Sequence, residues 1–481
     1  MMASNHSRTI LSKAQNLDRA LKCFASTQTA TSTGGTAATK PPTRAPVASK
    51  AKPTGVRNIV LVEAVRTPFL RSGTDYKKMW PHELQTAAFR ALLRRQPQLD
   101  PAHIEYVVAG QVIQECKTPN VAREAALAAG VPKSTPCHSV SMACISANQA
   151  ISSCMGMIAS GNIDVAVAGG VESLSDVPIR YNRTARAHML ALQKAKTPQQ
   201  KLSHGWGMIK KLLAPELPAV AEFSTGETMG HSGDRLAAQF KVSRREQDEY
   251  AVRTHTLADK ASKEGLLKDR EAIFVPGAKD YVSEDNGVRV TPYEQLAKMK
   301  PAFVKPHGTI TAGNASYLTD GASACLIMSE DYALKHGYKP RAYLRQFCYV
   351  AQDPKDQLLL GPAYAIPHLL QRTGLTVKDI DVWEIHEAFA GQMLAMQKAM
   401  DCDSFAKDVQ GLSAKPGAFP LDKANLWGGS TSIGHPFGAT GVRLVAHCAN
   451  RLIHEKKQLA MLAACAAGGL GHAMLVEAYP Q

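Results

Sequence analysis

The chain lacks several features that would each define a class of protein. Its ten cysteines (Cys23, Cys116, Cys137, Cys144, Cys154, Cys325, Cys348, Cys402, Cys448 and Cys465) form no Cys-x-x-Cys pair. No zinc-ligand spacing is present, so a sequence-evident metal finger or disulfide framework is excluded and no metal is expected. A reducing interior fits this cysteine usage. Long apolar runs are also missing. The most apolar tract, Leu459 to Val476, is broken by Gly468, Gly469, Gly471 and His472, whereas a spanning helix needs about 20 consecutive apolar residues. It reads as strand, tight turn, strand. Acidic residues are nearly absent from two stretches. Residues 1–55 hold only Asp18 against eight Lys/Arg, and residues 180–211 hold no Asp or Glu.

At 481 residues and 45% hydrophobic content the chain can bury more than one core, because single cores stop growing at roughly 250–300 residues. Two or three domains are expected. The formal net charge of +15 raises a nucleic-acid partner as one reading. Residues 1–55 account for +7 of it, however, and are rich in Ser, Thr and Ala. That composition reads as an organelle transit peptide, mitochondrial in preference to plastid; a disordered basic tail is the plain alternative.

Order is expected from Asn58-Ile-Val-Leu-Val62 onward. A helix over 82–95, a strand over 104–109, a helix near 121–129, a helix opened by Cys144 and running to about 160, and a strand over 164–169 follow. Gly161-Asn162 supplies a left-handed stop for the helix after Cys144. Apolar strands alternating with helices argue for an α/β layered fold. The C-terminal third echoes this order. Ile104-Glu-Tyr-Val-Val matches Ile380-Asp-Val-Trp-Glu, and the helix after Cys144 matches one after His435. Val165-Ala-Val-Ala-Gly-Gly170 matches Ala463-Ala-Cys-Ala-Ala-Gly-Gly469. Collinear matches point to two copies of one βαβ-type unit.

Between the copies, over 176–304, strand signals vanish. In the basic stretch, Trp206, Met208, Ile209, Leu212 and Leu213 are expected on one side of a helix ended by Pro215, with Lys210 and Lys211 on the other. Such a helix fits an anionic membrane surface or packing on its own protein or a partner. Ser243 with Glu246 forms a capping-box pattern that opens a helix over 244–263.

Three segments carry candidate chemistry. Cys144, in Ser141-Met-Ala-Cys-Ile-Ser-Ala-Asn-Gln149, sits at the expected start of a helix that follows a strand. Helix-end N–H groups stabilise a thiolate there. His435 lies in Gly434-His-Pro-Phe-Gly-Ala-Thr-Gly441, where glycines allow close approach and an imidazole can take a thiol proton. Cys465 precedes Ala466-Ala-Gly-Gly-Leu-Gly471, a turn whose backbone N–H groups can hold an oxyanion. His386, in Glu384-Ile-His-Glu-Ala-Phe-Ala390, is expected at a strand end. Taken singly, each has a plainer alternative as a buried thiol or a structural histidine.

These segments, together with Gly313-Asn-Ala-Ser316, resemble the thiolase family from about residue 56 to the C-terminus. The resemblance implies a thiolase fold: two similar α/β halves in a five-layered α-β-α-β-α sandwich. Residues 56–175 completed by 305–333 would form one half, 334–481 the other, and 176–304 a loop domain. It implies Cys144 as the acylated nucleophile, His435 as its activator, Cys465 as the proton shuttle and His386 in an oxyanion hole where many thiolases have Asn. Backbone N–H groups of Cys144 and Ala467 would form a second hole, and Ser316 would contact CoA. CoA would be a co-substrate, with no permanently bound cofactor. Within the family the chain most resembles the subunits that cleave long-chain 3-ketoacyl-CoA in mitochondrial β-oxidation. That implies a homodimer, a larger hydratase/dehydrogenase partner subunit and peripheral contact with an anionic inner membrane on the matrix side, with Trp206, Lys210 and Lys211 on the contacting surface. Rival readings are a short-chain acetoacetyl-CoA thiolase and a nucleic-acid-binding protein on the same fold. Three departures from the family pattern stand out: His386 for Asn, Ala467 for Gly, and Ser141 for Asn.

Overall fold

A computed structural model describes residues 57–480 apart from 220 and 278. The expected transit peptide, 1–55, lies outside the described residues. The first half runs β1 (Ile59–Arg66), β2 (Leu70–Arg71), α1 (Pro81–Arg95), β3 (Tyr106–Gly110), α2 (Val121–Ala129), β4 (Cys137–Val140), α3 (Ser146–Ala159) and β5 (Val165–Glu172). A segment dominated by helices follows: α4 (Arg183–Lys194), α5 (Pro198–Ile209), α6 (Met229–Gln239) and α7 (Arg244–Lys263). Strand β6 (Thr319–Ser329) returns to the first half. Then come β7 (Ala342–Ala351), α8 (Gly361–Thr373), β8 (Val382–Ile385), α9 (Ala390–Met400), the single turn α10 (Ser430–Ile433), α11 (Thr440–His454), β9 (Leu459–Ala466) and β10 (Leu470–Ala478).

The strand order is β4-β3-β5-β6-β1-β7-β10-β9-β8, with β2 paired to β6. Read outward from the β1–β7 junction, the two sides mirror each other. β6 and β10 come next, each antiparallel to the junction strand, and then β5 and β9. β3 and β8 follow, each running parallel to the strand inside it. This is the duplication read from the sequence echo. The halves join in the sheet through only two residue pairs, Val60↔Tyr343 and Leu61↔Ala342.

Helices complete the five layers. α1 and α2 cover the outer face of the first half, and α8 covers the outer face of the second. α3 and α11 pack against each other in the middle. They share one core with both sheets, including Leu61, Ile151, Val445, Leu462 and Met474. β1, β5 and β9 are buried along their whole length, which is why they read as continuous apolar runs rather than alternating ones. Small residues set how closely the halves approach. A Cβ on Gly170, in the first half, would lie 1.8 Å from the carbonyl oxygen of Gly438, in the second.

The region 176–304 behaves as expected in two respects and departs in two. Among its described residues only isolated bridges occur, such as Arg180↔Glu216 and Ile273↔Val282. Ser243 and Glu246 form the capping box that opens α7, with the Glu246 amide donating to Ser243 Oγ at 3.2 Å. The basic helix α5, however, ends at Ile209 with Lys210 as its C-cap, so Pro215 does not terminate it. Lys210 consequently folds back, and its Nζ lies 5.2 Å from the centre of the Trp206 ring instead of on the opposite side. Among the described residues no helix is long and apolar enough to cross a membrane. Leu459–Val476 is the strand pair β9–β10 with its turn.

Candidate active site

Cys144 does not open α3. The helix begins two residues later, at Ser146, and the cysteine sits in a tight turn between β4 and α3. Ala143 takes φ of +46°, a left-handed conformation uncommon for a residue with a Cβ. Ser146 pins the turn: its hydroxyl donates to the Ala143 carbonyl at 2.7 Å and accepts from the Met142 amide at 2.8 Å. A strained residue held on both sides in this way marks a positioned neighbour. Cys144 remains half-buried, whereas Cys154, Cys325, Cys348, Cys402, Cys448 and Cys465 are buried and Cys116 is exposed.

Burial pushes the Cys144 thiol up to about 12, and the nearby Glu172 and Glu222 carboxylates add to the shift. The backbone N–H groups of Ala467 and of Cys144 itself point at the sulfur and oppose it. These are the two expected oxyanion donors, and they converge on one atom. Ala467 raises no conformational difficulty: the left-handed positions of its turn are Gly468 (φ +86°) and Gly469 (φ +69°), not Ala467. Cys465, near the end of β9 and 1% exposed, is also raised, first by burial and then by the charge that Cys144 would carry. The two thiols are therefore electrostatic neighbours and both rest protonated at neutral pH.

His435 follows Gly434, whose φ is +118°. Its amide donates to Thr319 Oγ1 at 3.0 Å, and its Nδ1 lies 2.7 Å from Thr440 Oγ1. Thr440 in turn donates to the Pro436 carbonyl at 3.1 Å. His386 extends β8 by one residue, its amide donating to the Ala463 carbonyl at 2.8 Å. Its Nδ1 lies 2.8 Å from Ser430 Oγ. The two imidazole centroids are 4.0 Å apart. Each ring has one nitrogen, Nε2, that is buried without a hydrogen-bond partner. Burial lowers both: His386 to about 3, with Arg443 adding to the effect, and His435 well below its ordinary value, with His386 and Arg443 adding to it. Both rings are neutral at working pH.

The surrounding elements hold this group rigidly. Glu387, next to His386, accepts from Tyr250 Oη at 2.8 Å, Asn425 Nδ2 at 2.6 Å and the Thr431 amide at 3.1 Å. Through Tyr250, helix α7 of the inserted region braces the histidine. Glu222 accepts from the Gly468 amide at 2.9 Å and steadies the Cys465 turn. Glu172 accepts from the Val112, Ile113 and Gly438 amides. Ser316 joins the His-Glu-Ala-Phe segment through its amide, which donates to the Ala388 carbonyl at 3.0 Å. Its loop borders a cavity of about 150 Å³ lined by Arg71, His255, Arg289, Ala315 and Tyr317. Trp206, 59% exposed, lies with Lys210 on the surface of the inserted region.

Sequence reasoning singled out Cys144, Cys465, His386 and His435 but not the hydroxyls that bond their turn or their rings: Ser146, Ser430 and Thr440. Thr440 falls inside the glycine-rich histidine segment and Ser430 just ahead of it, in Gly428-Gly-Ser-Thr-Ser-Ile-Gly434, where a short polar side chain reads as loop composition. Their signal was proximity to His435 in the chain.

Two mirrored α/β halves, with a cysteine from each meeting at their seam, are the frame of an acyl-transferring enzyme of the thiol type. The chain belongs to the thiolase family: residues 59–331 match the thiolase N-terminal domain and residues 338–478 the thiolase C-terminal domain. It is 62% identical over 423 residues to a probable 3-ketoacyl-CoA thiolase of Caenorhabditis elegans, covering 88% of this chain and 94% of the relative. It is 62% identical over 431 residues to the mitochondrial trifunctional enzyme subunit beta of Rattus norvegicus, covering 90% of each. The crystal structure of human mitochondrial 3-ketoacyl-CoA thiolase in complex with CoA superposes with a TM-score of 0.74 at 29% identity, covering 88% of this chain and 98% of that one.

Proposed function

We propose that this protein is a 3-ketoacyl-CoA thiolase of mitochondrial β-oxidation and the thiolase subunit of a trifunctional complex. It uses CoA to cleave 3-ketoacyl-CoA into acetyl-CoA and a shortened acyl-CoA. The observation that carries this reading is the pairing of the Cys144 and Cys465 thiols across the seam, with Glu172, the carboxylate beside Cys144, bonded to the Gly438 amide three residues beyond His435, and with the His435 and His386 ring centroids 4.0 Å apart.

In the first half-reaction His435 Nε2 takes the Cys144 proton as the sulfur attacks the keto carbon. The backbone N–H groups of Cys144 and Ala467 hold the oxyanion that forms. The C2–C3 bond then breaks, leaving Cys144 acylated and the acetyl-CoA enolate held at its oxygen by His386 and the now protonated His435. Cys465 gives its proton to C2, which releases acetyl-CoA. In the second half-reaction the Cys465 thiolate takes the proton of incoming CoA. The CoA sulfur attacks the acyl group, the C–S bond to Cys144 breaks, and His435 returns the proton to Cys144. Because both thiols rest protonated, each transfer is coupled to attack rather than preceding it. Splitting the reaction through a covalent intermediate lowers each barrier.

The guanidinium groups of Arg71 and Arg289, beside the loop that carries Ser316, supply a site of the right sign for CoA phosphates; His255 is lowered to about 4 by burial and by Arg289, and lines the cavity as a neutral imidazole. Strand β4 is paired on one side only and half-buried throughout, which supports a homodimer formed along that edge. The exposed Leu202, Trp206, Ile209 and Leu213, with Lys210 and Lys211 alongside, support peripheral contact of the inserted region (176–304) with an anionic membrane on the matrix side of the inner membrane. A larger subunit with hydratase and dehydrogenase activities is the expected partner.

The test is mass measurement of a trapped acyl-enzyme after incubation with short and long 3-ketoacyl-CoAs. The acyl group is expected on the tryptic peptide containing Cys144, and C16 substrate is expected to turn over faster than C4. An acyl group on another cysteine, or none, would overturn the assignment. Faster cleavage of C4 would replace the long-chain reading with the short-chain one.

A further inference from the structure

The Ser430 hydroxyl stands between a histidine and an arginine. Arg443, on α11 and 0% exposed, donates from Nη2 to Ser430 Oγ at 3.0 Å. Ser430 Oγ lies 2.8 Å from His386 Nδ1. The guanidinium is held from behind by Glu384, whose Oε2 is 3.6 Å from Nη1. Glu384 sits two residues before His386, on the same face of β8, and its other oxygen accepts from Arg451 Nη1 at 2.8 Å. All five groups are buried.

A serine hydroxyl has one hydrogen to give. Arginine has none to accept with, so Ser430 must accept from Arg443. Among the described residues the only acceptor near the Ser430 hydroxyl is His386 Nδ1. If Nδ1 carried the imidazole proton instead, Ser430 would face two donors and its own hydrogen would have no partner among the described residues, at a hydroxyl that is fully buried. Thr440, beside His435, has the opposite surroundings. It has a carbonyl to donate to, that of Pro436, and no cationic donor behind it, so it is free to accept from His435 Nδ1.

The geometry points to Arg443 and Ser430 as positioning residues that set the tautomer of His386. Arg443 fixes the Ser430 hydroxyl, the hydroxyl donates to Nδ1, and the imidazole proton is confined to Nε2, the nitrogen that faces the site. His386 is thereby a standing hydrogen-bond donor, while His435, in the other tautomer, presents a lone pair. Two rings 4.0 Å apart are given opposite roles by the hydroxyls behind them. The assignment extends the thiolase reading, on which the use of the Nε2 donor for an enolate oxygen rests.

Nitrogen-15 spectra of histidine-labelled full-length protein, assigned with His386→Asn and His435→Asn, read both tautomers directly. The expected result is an Nε2–H form for His386 and an Nδ1–H form for His435. An Nδ1–H form at His386 overturns the proposal whether or not the chain cleaves 3-ketoacyl-CoA, while absence of cleavage with the expected spectrum removes the thiolase reading and leaves the tautomer assignment standing. Ser430→Ala is expected to lower kcat about tenfold or more, with KM and the rate of Cys144 alkylation by iodoacetamide unchanged, because it weakens an oxyanion donor and leaves the thiol and its base in place. Ser430→Thr, which keeps the hydroxyl, is expected to restore kcat. A parallel fall in alkylation and kcat in Ser430→Ala, or no fall in kcat, would reduce Ser430 to a packing role.

Discussion

His386 and His435 lie with their ring centroids 4.0 Å apart and their planes inclined by 42°, each tied through Nδ1 to a hydroxyl on a different helix. Neither can gain a proton cheaply, because burial and the Arg443 charge both oppose it. The site therefore keeps two uncharged imidazoles in contact.

This pairing has a pH signature. For His386 the folded value, about 3, lies below the ordinary histidine value of 6.5. Between those limits the unfolded chain binds a proton that the folded chain refuses, so stability falls as pH drops from 6.5 toward 3 and is fully present above 6.5. His435 acts in the same direction. Thermal unfolding followed across this range should show the loss, and His386→Asn should reduce its slope. The thiol behaves in the opposite sense. The Cys144 value of about 12 against an ordinary 9 means that iodoacetamide alkylation of the free enzyme should still be rising at pH 10 rather than reaching a plateau near 9.

Ala467 tests the backbone donor. Ala467→Gly keeps the N–H and adds only backbone freedom, so a stability loss of about 0.5–1 kcal/mol with near-normal kcat is expected. Ala467→Pro removes the N–H, and kcat should fall about 100-fold or more. Steady-state rates beside melting temperatures distinguish the two effects.

Gly170→Ala tests the seam. Its Cβ would stand 1.8 Å from the Gly438 carbonyl oxygen, a backbone atom that cannot swing aside. Forcing that fit should destabilise by about 1–3 kcal/mol or more. It should also displace Gly438, three residues beyond His435, so kcat should fall along with stability. Gly156→Ala, where the added carbon meets open space, is the matched control.

The inserted region is tested by Lys210→Glu with Lys211→Glu. Binding to cardiolipin-containing vesicles should fall at low salt, while thiolysis of a soluble short substrate should be unchanged. Undiminished vesicle binding would leave the exposed apolar face to a protein partner.

Much of this was legible in the chain. The echo between residues 104–170 and 380–469 becomes a mirrored strand order because the matched segments fall in the same sequence in both copies. His435 and Cys465 stand out by their glycines, His386 by its strand end and Cys144 by its expected place at a helix start. The α3 boundary was not legible. A helix propensity that includes Cys144 cannot register that Ala143 turns left-handed under the grip of Ser146. Arg443 was equally hidden, since a charged residue on an amphipathic helix reads as solvent-facing until the second half closes over it. Lys210 was misplaced because the wheel was extended beyond Ile209, where the helix stops.

A backbone has no rotamer to change, so where Gly170 meets Gly438 the spacing of the two halves is set once and for all. The inserted region reaches the same site through side chains alone, Tyr250 to Glu387 and Glu222 to the Gly468 amide. A single substitution can therefore alter how the inserted region grips the site, while the width of the seam stays as the glycines leave it.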